Sequence, residues 1–270
     1  ARGKYQYADR PIVINNWEAT FFDFDDKKLD QIIDEAKPLG IEMFVLDDGW
    51  FGHRNDDNSS LGDWFVNQDK LTGGLKRVAD RTHEHGMKFG LWFEPEMISV
   101  DSKLYKKHPD YALHEPNRGM TLSRNQLVLD FSRKEVVDNI YNQMCLILDK
   151  VPLDYIKWDF NRNLTEVFSS AADAEHQGEV SHRYVLGLYD LMERLVTRYP
   201  NILFEGCSGG GGRFDAGILY YMPQSWPSDD TDAVERLKIQ YGTSLTYPIS
   251  SMTAHVSVSP NQQTGRSTSF

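Results

Sequence analysis

The chain has 270 residues, which is the size of one large domain such as an α/β barrel. Its net charge of −11, from 40 acidic and 29 basic residues, is unfavourable for binding nucleic acid or an anionic membrane surface. Two cysteines, no signal-like start and no apolar run of about 20 residues predict a cytoplasmic protein without a membrane anchor.

Apolar strands alternate with amphipathic helices from the start of the chain. The first strand is predicted over residues 12–17, and Asp25 or Asp26 then caps a helix with apolar residues at i, i+3, i+4 and i+7 spacing. A second strand follows over 43–48, and after a polar loop a helix around 75–82 ends at Gly86. A third strand is predicted over residues 88–94.

The second half of the chain continues this alternation after a long insertion. Residues 98–130 have weak periodicity, which is typical of an active-site loop. Residues 132–135 have the pattern of a capping box that opens the next helix. Further strands are predicted over 155–160 and over 202–207 after a helix at 182–199. A sixth is predicted to end near 226–230, and residues 250–256 are predicted as a seventh.

Continuous apolar strands separated by helices indicate a parallel sheet that is buried on both faces. Six or seven such repeats are more than a small open sheet needs. We therefore predict an α/β fold of the (β/α)8 TIM-barrel type that lacks its last strand within these residues.

Polar side chains follow each predicted strand, at Asn15–Trp17, Asp47–Asp48, Trp92–Glu96, Lys157–Asn161 and Cys207–Ser208 among others. In a parallel barrel the carboxyl ends of the strands meet at one mouth, where barrel enzymes have their active sites. The sequence therefore predicts an acidic and aromatic site at that mouth.

The segment from Lys157 to Arg162 is the most informative part of this set. Because side chains alternate along a strand, Lys157, Asp159 and Asn161 are expected on one face, with the ammonium beside the carboxylate. Glycoside hydrolysis needs a second carboxyl group, for which residues 229–232 offer three aspartates. Spacing alone does not choose among them, and one is expected to cap the helix near Ala233.

Two other patterns are assigned no cofactor chemistry. The glycine-rich residues 206–213 lack the Gly-Lys-Ser/Thr ending of a phosphate loop, so we expect the glycines to let the backbone come close to a ligand. His83 and His85 lie two positions apart on a helix and do not face each other. The sequence thus predicts neither a metal nor another cofactor.

Five motifs in this order resemble glycoside hydrolase family 36, the microbial α-galactosidases. They are Leu46-Asp47-Asp48-Gly49-Trp50, Leu91-Trp92-Phe93-Glu94-Pro95-Glu96, Lys157-Trp158-Asp159-Phe160-Asn161-Arg162, Phe204-Glu205-Gly206-Cys207-Ser208-Gly209-Gly210-Gly211 and Ser228-Asp229-Asp230-Thr231-Asp232-Ala233. The resemblance extends over nearly the whole chain, with a departure at Pro227, where the family usually has a small polar residue.

The resemblance implies a retaining α-galactosidase that releases terminal α-D-galactose from substrates such as melibiose and raffinose by double displacement. It implies that Asp159 is the nucleophile and Asp229 the general acid/base, and that Asp47 and Asp48 bind the galactose 4- and 6-hydroxyls. The remaining substrate-binding residues that it implies are Trp17, Trp92, Arg124, Lys157, Asn161, Cys207 and Gly209.

The resemblance also implies an organisation beyond these residues. Family members carry an N-terminal β-sandwich and a C-terminal β-domain around this barrel, and we expect both to be absent from residues 1–270. Many members form homotetramers, so a homo-oligomer is expected for the full-length protein. A galactosyl transferase, a non-catalytic carbohydrate-binding barrel and an inert fragment stay open as alternatives.

Overall fold

The computed structural model describes residues 3–269 of the chain. Its centre is a curled parallel sheet of six strands, which forms a half barrel, and a two-stranded antiparallel ribbon lies beside it. In chain order the strands are β1 (Val13–Asn15), β2 (Met43–Leu46), β3 (Lys88–Phe93), β4 (Met97–Ile98), β5 (Leu127–Val128), β6 (Tyr155–Trp158), β7 (Leu203–Gly206) and β8 (Gln224–Ser225).

The sheet has the strand order β1-β2-β3-β6-β7-β8, and β4 pairs with β5. The eight α-helices of residues 3–269 are α1 (Trp17–Thr20), α2 (Asp26–Ala36), α3 (Gly74–Glu84), α4 (Lys103–Lys107), α5 (Lys134–Leu148), α6 (Val180–Arg198), α7 (Ala216–Tyr221) and α8 (Ala233–Ser244), of which α8 follows the last strand. No helix within residues 3–269 has both the length and the apolar character needed to cross a membrane.

Helix α2 shows how local sequence sets the element boundaries. The Asp25 side chain accepts a hydrogen bond from the Lys28 backbone N–H at 2.8 Å, which caps the helix as predicted. Leu29 and Ile33 are fully buried against the sheet. After a short 3-10 turn, Gly40 adopts the left-handed conformation with φ 83° and ends the element.

The two faces of the sheet pack differently, because side chains alternate along each strand. On the concave face a small apolar cluster contains Met43, Val45, Tyr155 and Leu203. Ile156 and Trp158 point the other way, into the large core under the helices. The predicted parallel sheet with two buried faces is therefore confirmed, and Lys157 shares the concave face with Tyr155.

Two predictions about local structure are wrong. The first is the capping box at residues 132–135, because Arg133 precedes α5 without any side-chain cap. The Ser132 hydroxyl donates to the Asp130 carboxylate instead, and Glu135 pairs with Arg133 at 2.8 Å. The hydroxyl is thus oriented by Asp130, and its oxygen accepts no backbone N–H from the first turn of α5.

The second is the seventh strand over residues 250–256. That segment begins in a 3-10 turn (Ile249–Ser251) and makes only one bridge to the sheet, between Met252 and Ser225. Its neighbour β8 has only two residues, and within residues 3–269 no strand lies on its other side. With one short partner, residues 250–256 form no ladder, and the described part of the sheet remains a half barrel.

Candidate active site

Polar side chains gather where the parallel strands end, as the sequence predicts. The register pairs Trp92 with Lys157 and Phe93 with Trp158, and the Asp159 backbone N–H donates to the Phe93 carbonyl at 2.8 Å. Asp159 therefore continues β6 by one residue beside the end of β3. Asp47 extends β2 in the same way, and its carboxylate reaches the Lys157 ammonium at 3.0 Å.

The Asp159 carboxylate is held by hydrogen bonds on both of its oxygens. It is 6% exposed and accepts three N–H donors. Asn161 Nδ2 and Trp92 Nε1 donate to Oδ2 at 2.7 and 3.2 Å, and the Phe160 backbone N–H donates to Oδ1 at 2.9 Å. These bonds hold the carboxylate in one orientation, which a group that attacks a substrate atom requires.

Lys157 lies on the face that the sequence predicts, but its direct partner is Asp47 rather than Asp159. Burial alone would lower the pKa of Lys157, yet the charges of Asp47 and Asp159 outweigh it and raise the pKa. The ammonium is also 5.6 Å from the centre of the Trp226 ring. Lys157 is thus a fixed positive charge between two carboxylates.

The aspartate pair after β2 is held by two partners that the sequence analysis missed. Asn15 Nδ2 donates to Asp47 Oδ2 at 2.5 Å. Arg54 binds Asp48 through both Nε and NH2, at 2.9 and 2.8 Å. Burial raises the pKa of Asp48, and the Arg54 guanidinium opposes that effect. Arg54 lies in a polar loop without any pattern that marks it as a site residue.

The structure distinguishes among the three aspartates of residues 229–232. Asp232 caps α8 by accepting from the Val234 and Glu235 backbone N–H groups, as expected for one of them. Asp230 accepts from the Asp232 backbone N–H in the same turn. The Asp229 carboxyl group accepts neither of these turn bonds, and its Oδ1 accepts from Trp226 Nε1 at 3.0 Å.

Asp229 lies within the electrostatic field of Asp159, although its side chain is exposed to solvent. Partial desolvation of the carboxyl, and next the negative charge of Asp159, raise the pKa of Asp229. Lys157 and the Trp226 hydrogen bond act in the opposite direction. The two aspartates therefore differ in character, with Asp159 buried among N–H donors and Asp229 exposed, with a pKa above the usual value for an aspartate.

The glycine-rich segment after β7 packs against the loop that carries Asp229. A Cβ on Gly210 would lie 2.8 Å from the Asp229 backbone nitrogen, and one on Gly211 would lie 2.4 Å from the Pro227 carbonyl oxygen. The close approach in this structure is therefore made to this loop, and the expected approach to a ligand stays a prediction. Gly209 faces open space and donates its N–H to Asn161 Oδ1 at 3.2 Å.

The remaining predicted site residues lie around this centre. Trp17 begins α1, donates its backbone N–H to Asn15 Oδ1 at 2.7 Å and contacts Phe21 and Phe22 edge to face. Arg124 is exposed, has φ 51° and contributes a positive charge that lowers the pKa of Asp229. Cys207 is buried, and burial raises the pKa of its thiol well above the usual value.

Glu94 is a buried acid of the site that belongs to one of the five motifs but for which the sequence predicted no role. Glu94 follows β3, is 1% exposed, and accepts from the Asn161 backbone N–H and from Gln126 Nε2, both at 2.7 Å. Burial, and next the charge of Asp159, raise the pKa of Glu94 to about 8. The alternation of Trp92 and Glu94 along the strand could have indicated this placement.

The described residues offer no metal centre. Within residues 3–269 no three His, Cys, Asp or Glu side chains are arranged to hold an ion. His83 Nε2 lies 2.9 Å from an Asp154 carboxylate oxygen, and His85 Nδ1 lies 2.9 Å from the Arg81 carbonyl oxygen. Both histidines therefore have local partners at the end of α3.

A curled parallel sheet with carboxyl groups at its carboxyl-terminal edge defines the class as an α/β protein with an acidic site where its strands end. The comparison with family models makes this specific. The Melibiase model matches residues 1–270, and the chain belongs to the Melibiase family.

Curated relatives are similar over the whole chain. Alpha-galactosidase Mel36A of Lactobacillus acidophilus is 65% identical over 269 residues, which is 100% of this chain and 37% of that protein. Alpha-galactosidase AgaA of Geobacillus stearothermophilus is 59% identical over 266 residues, covering 98% of this chain and 36% of that protein. The chain thus spans little more than a third of the length of these relatives.

Solved structures match equally well. The crystal structure of the glycoside hydrolase family 36 α-galactosidase AgaA superimposes with a TM-score of 0.98 at 59% identity, covering 100% of this chain and 38% of that one. A variant of AgaA in complex with raffinose gives a TM-score of 0.98 at 58% identity and the same coverage.

Proposed function

We propose that the protein is a retaining α-galactosidase that releases terminal α-D-galactose from α-galactosides such as melibiose and raffinose. The observation that carries the proposal is the pairing of an oriented, buried Asp159 with an exposed Asp229 whose pKa is raised by partial desolvation and by Asp159 itself. The relatives support the substrate class, because AgaA variants have been crystallised with raffinose and with stachyose.

In the first step, an Asp159 oxygen attacks the anomeric carbon and forms a covalent bond to it, while the glycosidic C–O bond breaks. Asp229 donates its proton to the departing oxygen. In the second step, the Asp229 carboxylate takes a proton from water, whose oxygen attacks the same carbon and displaces Asp159. Two inversions give galactose with the original α configuration.

The electrostatics of the site suit this division of roles. The raised pKa of Asp229 keeps its proton available before the first step. Once Asp159 is esterified it carries no charge, so the repulsion that raised the pKa of Asp229 disappears. Asp229, which has already given its proton to the departing oxygen, then stays a carboxylate and acts as the base for the incoming water.

The two aspartates after β2 and Lys157 supply the sugar contacts in this proposal. Asp47 and Asp48 accept hydrogen bonds from the galactose 4- and 6-hydroxyls, and Lys157 and Arg54 hold the two carboxylates in place. A buried acceptor without its hydroxyl is costly, which disfavours sugars with an equatorial 4-hydroxyl. The other proposed substrate-binding residues are Trp17, Trp92, Arg124, Asn161, Cys207 and Gly209.

We extend the proposal to the protein as it is encoded. There the half barrel is completed to a (β/α)8 barrel, β-domains flank it on both sides, and the subunits form a homotetramer in the cytoplasm. The two free cysteines, Cys145 and Cys207, fit a reducing compartment. Light scattering coupled to size exclusion tests the tetramer, and a monomer at micromolar concentration would reject it.

The test of the function is an assay of the encoded protein on p-nitrophenyl α- and β-galactosides and on raffinose. We expect hydrolysis of the α-anomer and of raffinose, no hydrolysis of the β-anomer, and α-galactose as the first product seen by proton NMR. Product analysis at high sucrose concentration separates hydrolysis from galactosyl transfer. β-Galactose as the first product, or a protein that binds galactosides without cleaving them, would reject the proposal.

A further inference from the structure

Two buried glutamates stand two residues apart after β3, and their surroundings differ. Glu96 is held by positive and neutral donors, with Arg213 bound to both of its oxygens at 2.8 and 2.9 Å and Trp158 Nε1 donating at 2.8 Å. Glu94 forms no ion pair with any Lys, Arg or His of residues 3–269, although it is only 1% exposed.

Both donors of Glu94 converge on one of its oxygens. The Asn161 backbone N–H and Gln126 Nε2 each donate to Oε1 at 2.7 Å. This geometry matches a carboxylic acid whose carbonyl oxygen accepts two hydrogen bonds while the other oxygen carries the proton. The charged side chains that act on Glu94 are Asp159, at the end of β6, and Arg54, in the loop after β2.

Glu94 is connected in this way to the proposed nucleophile. Asn161, which Glu94 holds by its backbone, is the residue that donates to Asp159 Oδ2 and accepts from the Gly209 N–H. Movement of the Asn161 backbone would therefore displace a donor from Asp159 and loosen the loop after β7. Glu94 is thus one hydrogen bond further from the Asp159 carboxylate than Asn161 is.

Glu94 is also connected to the turn that carries Arg124. Gln126, the second donor to Glu94, pairs with Ser123 across this turn, and its carbonyl accepts from Arg162 NH1 at 2.6 Å. Arg124 stands between them in the left-handed conformation. The Glu94 side chain thus bonds both to the segment after β6 that carries Asp159 and to the turn that carries Arg124.

Resting on the proposed function, we propose that Glu94 is a positioning residue of the α-galactosidase reaction that acts as an uncharged acid. Its carbonyl oxygen holds the backbone of Asn161, whose side chain donates to Asp159. The same oxygen holds Gln126 and through it the turn that carries Arg124. A neutral group fulfils this role without adding a second negative charge beside Asp159, which must itself be charged to attack. The raised pKa of Glu94 described above agrees with the uncharged form.

The experiment compares Glu94→Gln, Glu94→Asp and Glu94→Ala with the matched control Glu96→Gln in the protein as encoded. Glutamine keeps a carbonyl oxygen in place of Oε1 without charge, so we expect kcat within about threefold of wild type. Alanine removes the acceptor and aspartate withdraws it by one methylene, so kcat should fall by about 30-fold or more with KM within about fivefold.

The pH profile separates an uncharged acid from a carboxylate. If Glu94 is already neutral, Glu94→Gln leaves the acidic limb of kcat/KM within about 0.3 pH units of wild type. If Glu94 were charged, its removal would let Asp159 ionise at lower pH, and the limb would move down by about half a unit or more. Glu96→Gln should lower the melting temperature and leave kcat and the limb unchanged.

Three outcomes overturn the inference. They are a Glu94→Ala protein that is folded and retains normal kcat, a Glu94→Gln protein as impaired as Glu94→Ala, and a downward shift of the acidic limb in Glu94→Gln. If Glu94→Ala does not fold, Glu94→Asp and Glu94→Gln still decide. Wild-type activity is measured first, because its absence rejects the proposed function itself, whereas active wild type with unaffected variants rejects the role of Glu94 alone.

Discussion

The two proposed catalytic acids lie in regions of opposite construction. Asp159 extends a central strand, is buried and accepts three N–H donors. Asp229 is the exposed residue of the loop after the edge strand β8, and within residues 3–269 its carboxyl group has one side-chain donor, Trp226. A nucleophile needs a fixed direction, whereas an acid that must also become a base needs access to water. The difference between the regions follows from these two tasks.

The largest expected loss of activity comes from replacing Asp159, the buried acid of the central strand. Asp159→Ala removes the group that forms the covalent bond, and kcat should fall by about 10⁴-fold or more in the p-nitrophenyl α-galactoside assay. Added azide should restore turnover and give β-galactosyl azide, because one displacement inverts the anomeric carbon. Near-normal activity in this variant would remove Asp159 from the mechanism.

The second largest loss of activity is expected from replacing Asp229, the exposed acid. Asp229→Asn should lower kcat on raffinose by about 10³-fold, yet spare the first step with a 2,4-dinitrophenyl leaving group, which needs no protonation. Azide should here give α-galactosyl azide. The matched control Asp230→Asn keeps the turn oxygen that bonds the Asp232 N–H, and activity should stay near wild type. Equal losses in both variants would contradict the choice of Asp229.

A smaller loss of activity is expected where the glycine-rich segment after β7 contacts the loop that carries Asp229. Gly210 has φ 89°, and a Cβ there would press on Ser228 and Asp229 at 2.8 Å. Gly210→Ala should therefore shift the loop and lower kcat on raffinose by about tenfold. Gly74 has φ 74° with no atom within 4 Å, so Gly74→Ala tests the backbone strain alone. Similar losses in both would show that contact with the loop is irrelevant.

The smallest effect is a shift in the pH profile. Trp226→Phe removes the N–H donor that lowers the pKa of Asp229, so that pKa should rise. Asp229 then keeps its proton to higher pH, and the alkaline limb of kcat/KM should move up by about half a unit. The control Trp64→Phe removes a buried indole N–H that has no partner, and the limb should stay in place. A downward shift in Trp226→Phe would contradict the assigned bond.

The fold was predictable where local chemistry decides it. The cap at Asp25, the apolar stripe of α2 and the apolar runs of the central strands each depend on nearby residues, and their elements were confirmed. The capping box failed because α5 begins after Arg133 and the Ser132 hydroxyl is oriented by Asp130, a contact that the four-residue pattern does not contain. The strand over residues 250–256 failed because its apolar pattern says nothing about whether a partner strand is present.

The gathering of polar strand ends was predictable for the same reason, since parallel strands end at one edge. The partners that fix the charges were not. Arg54 reaches Asp48 from a loop without periodicity, and Trp226 reaches Asp229 only through the folded turn. Such contacts depend on three-dimensional placement, which alternation along a strand does not contain.

The most direct measurement is to trap the covalent intermediate with 2-deoxy-2-fluoro-α-D-galactosyl fluoride and to map the labelled peptide by mass spectrometry. The account predicts one fluorogalactosyl group per active site, attached to Asp159, and unlabelled protein when Asp159 is replaced by alanine. A label on Asp229, on Glu94 or on any other side chain would contradict the account, as would turnover with inversion and no trapped intermediate.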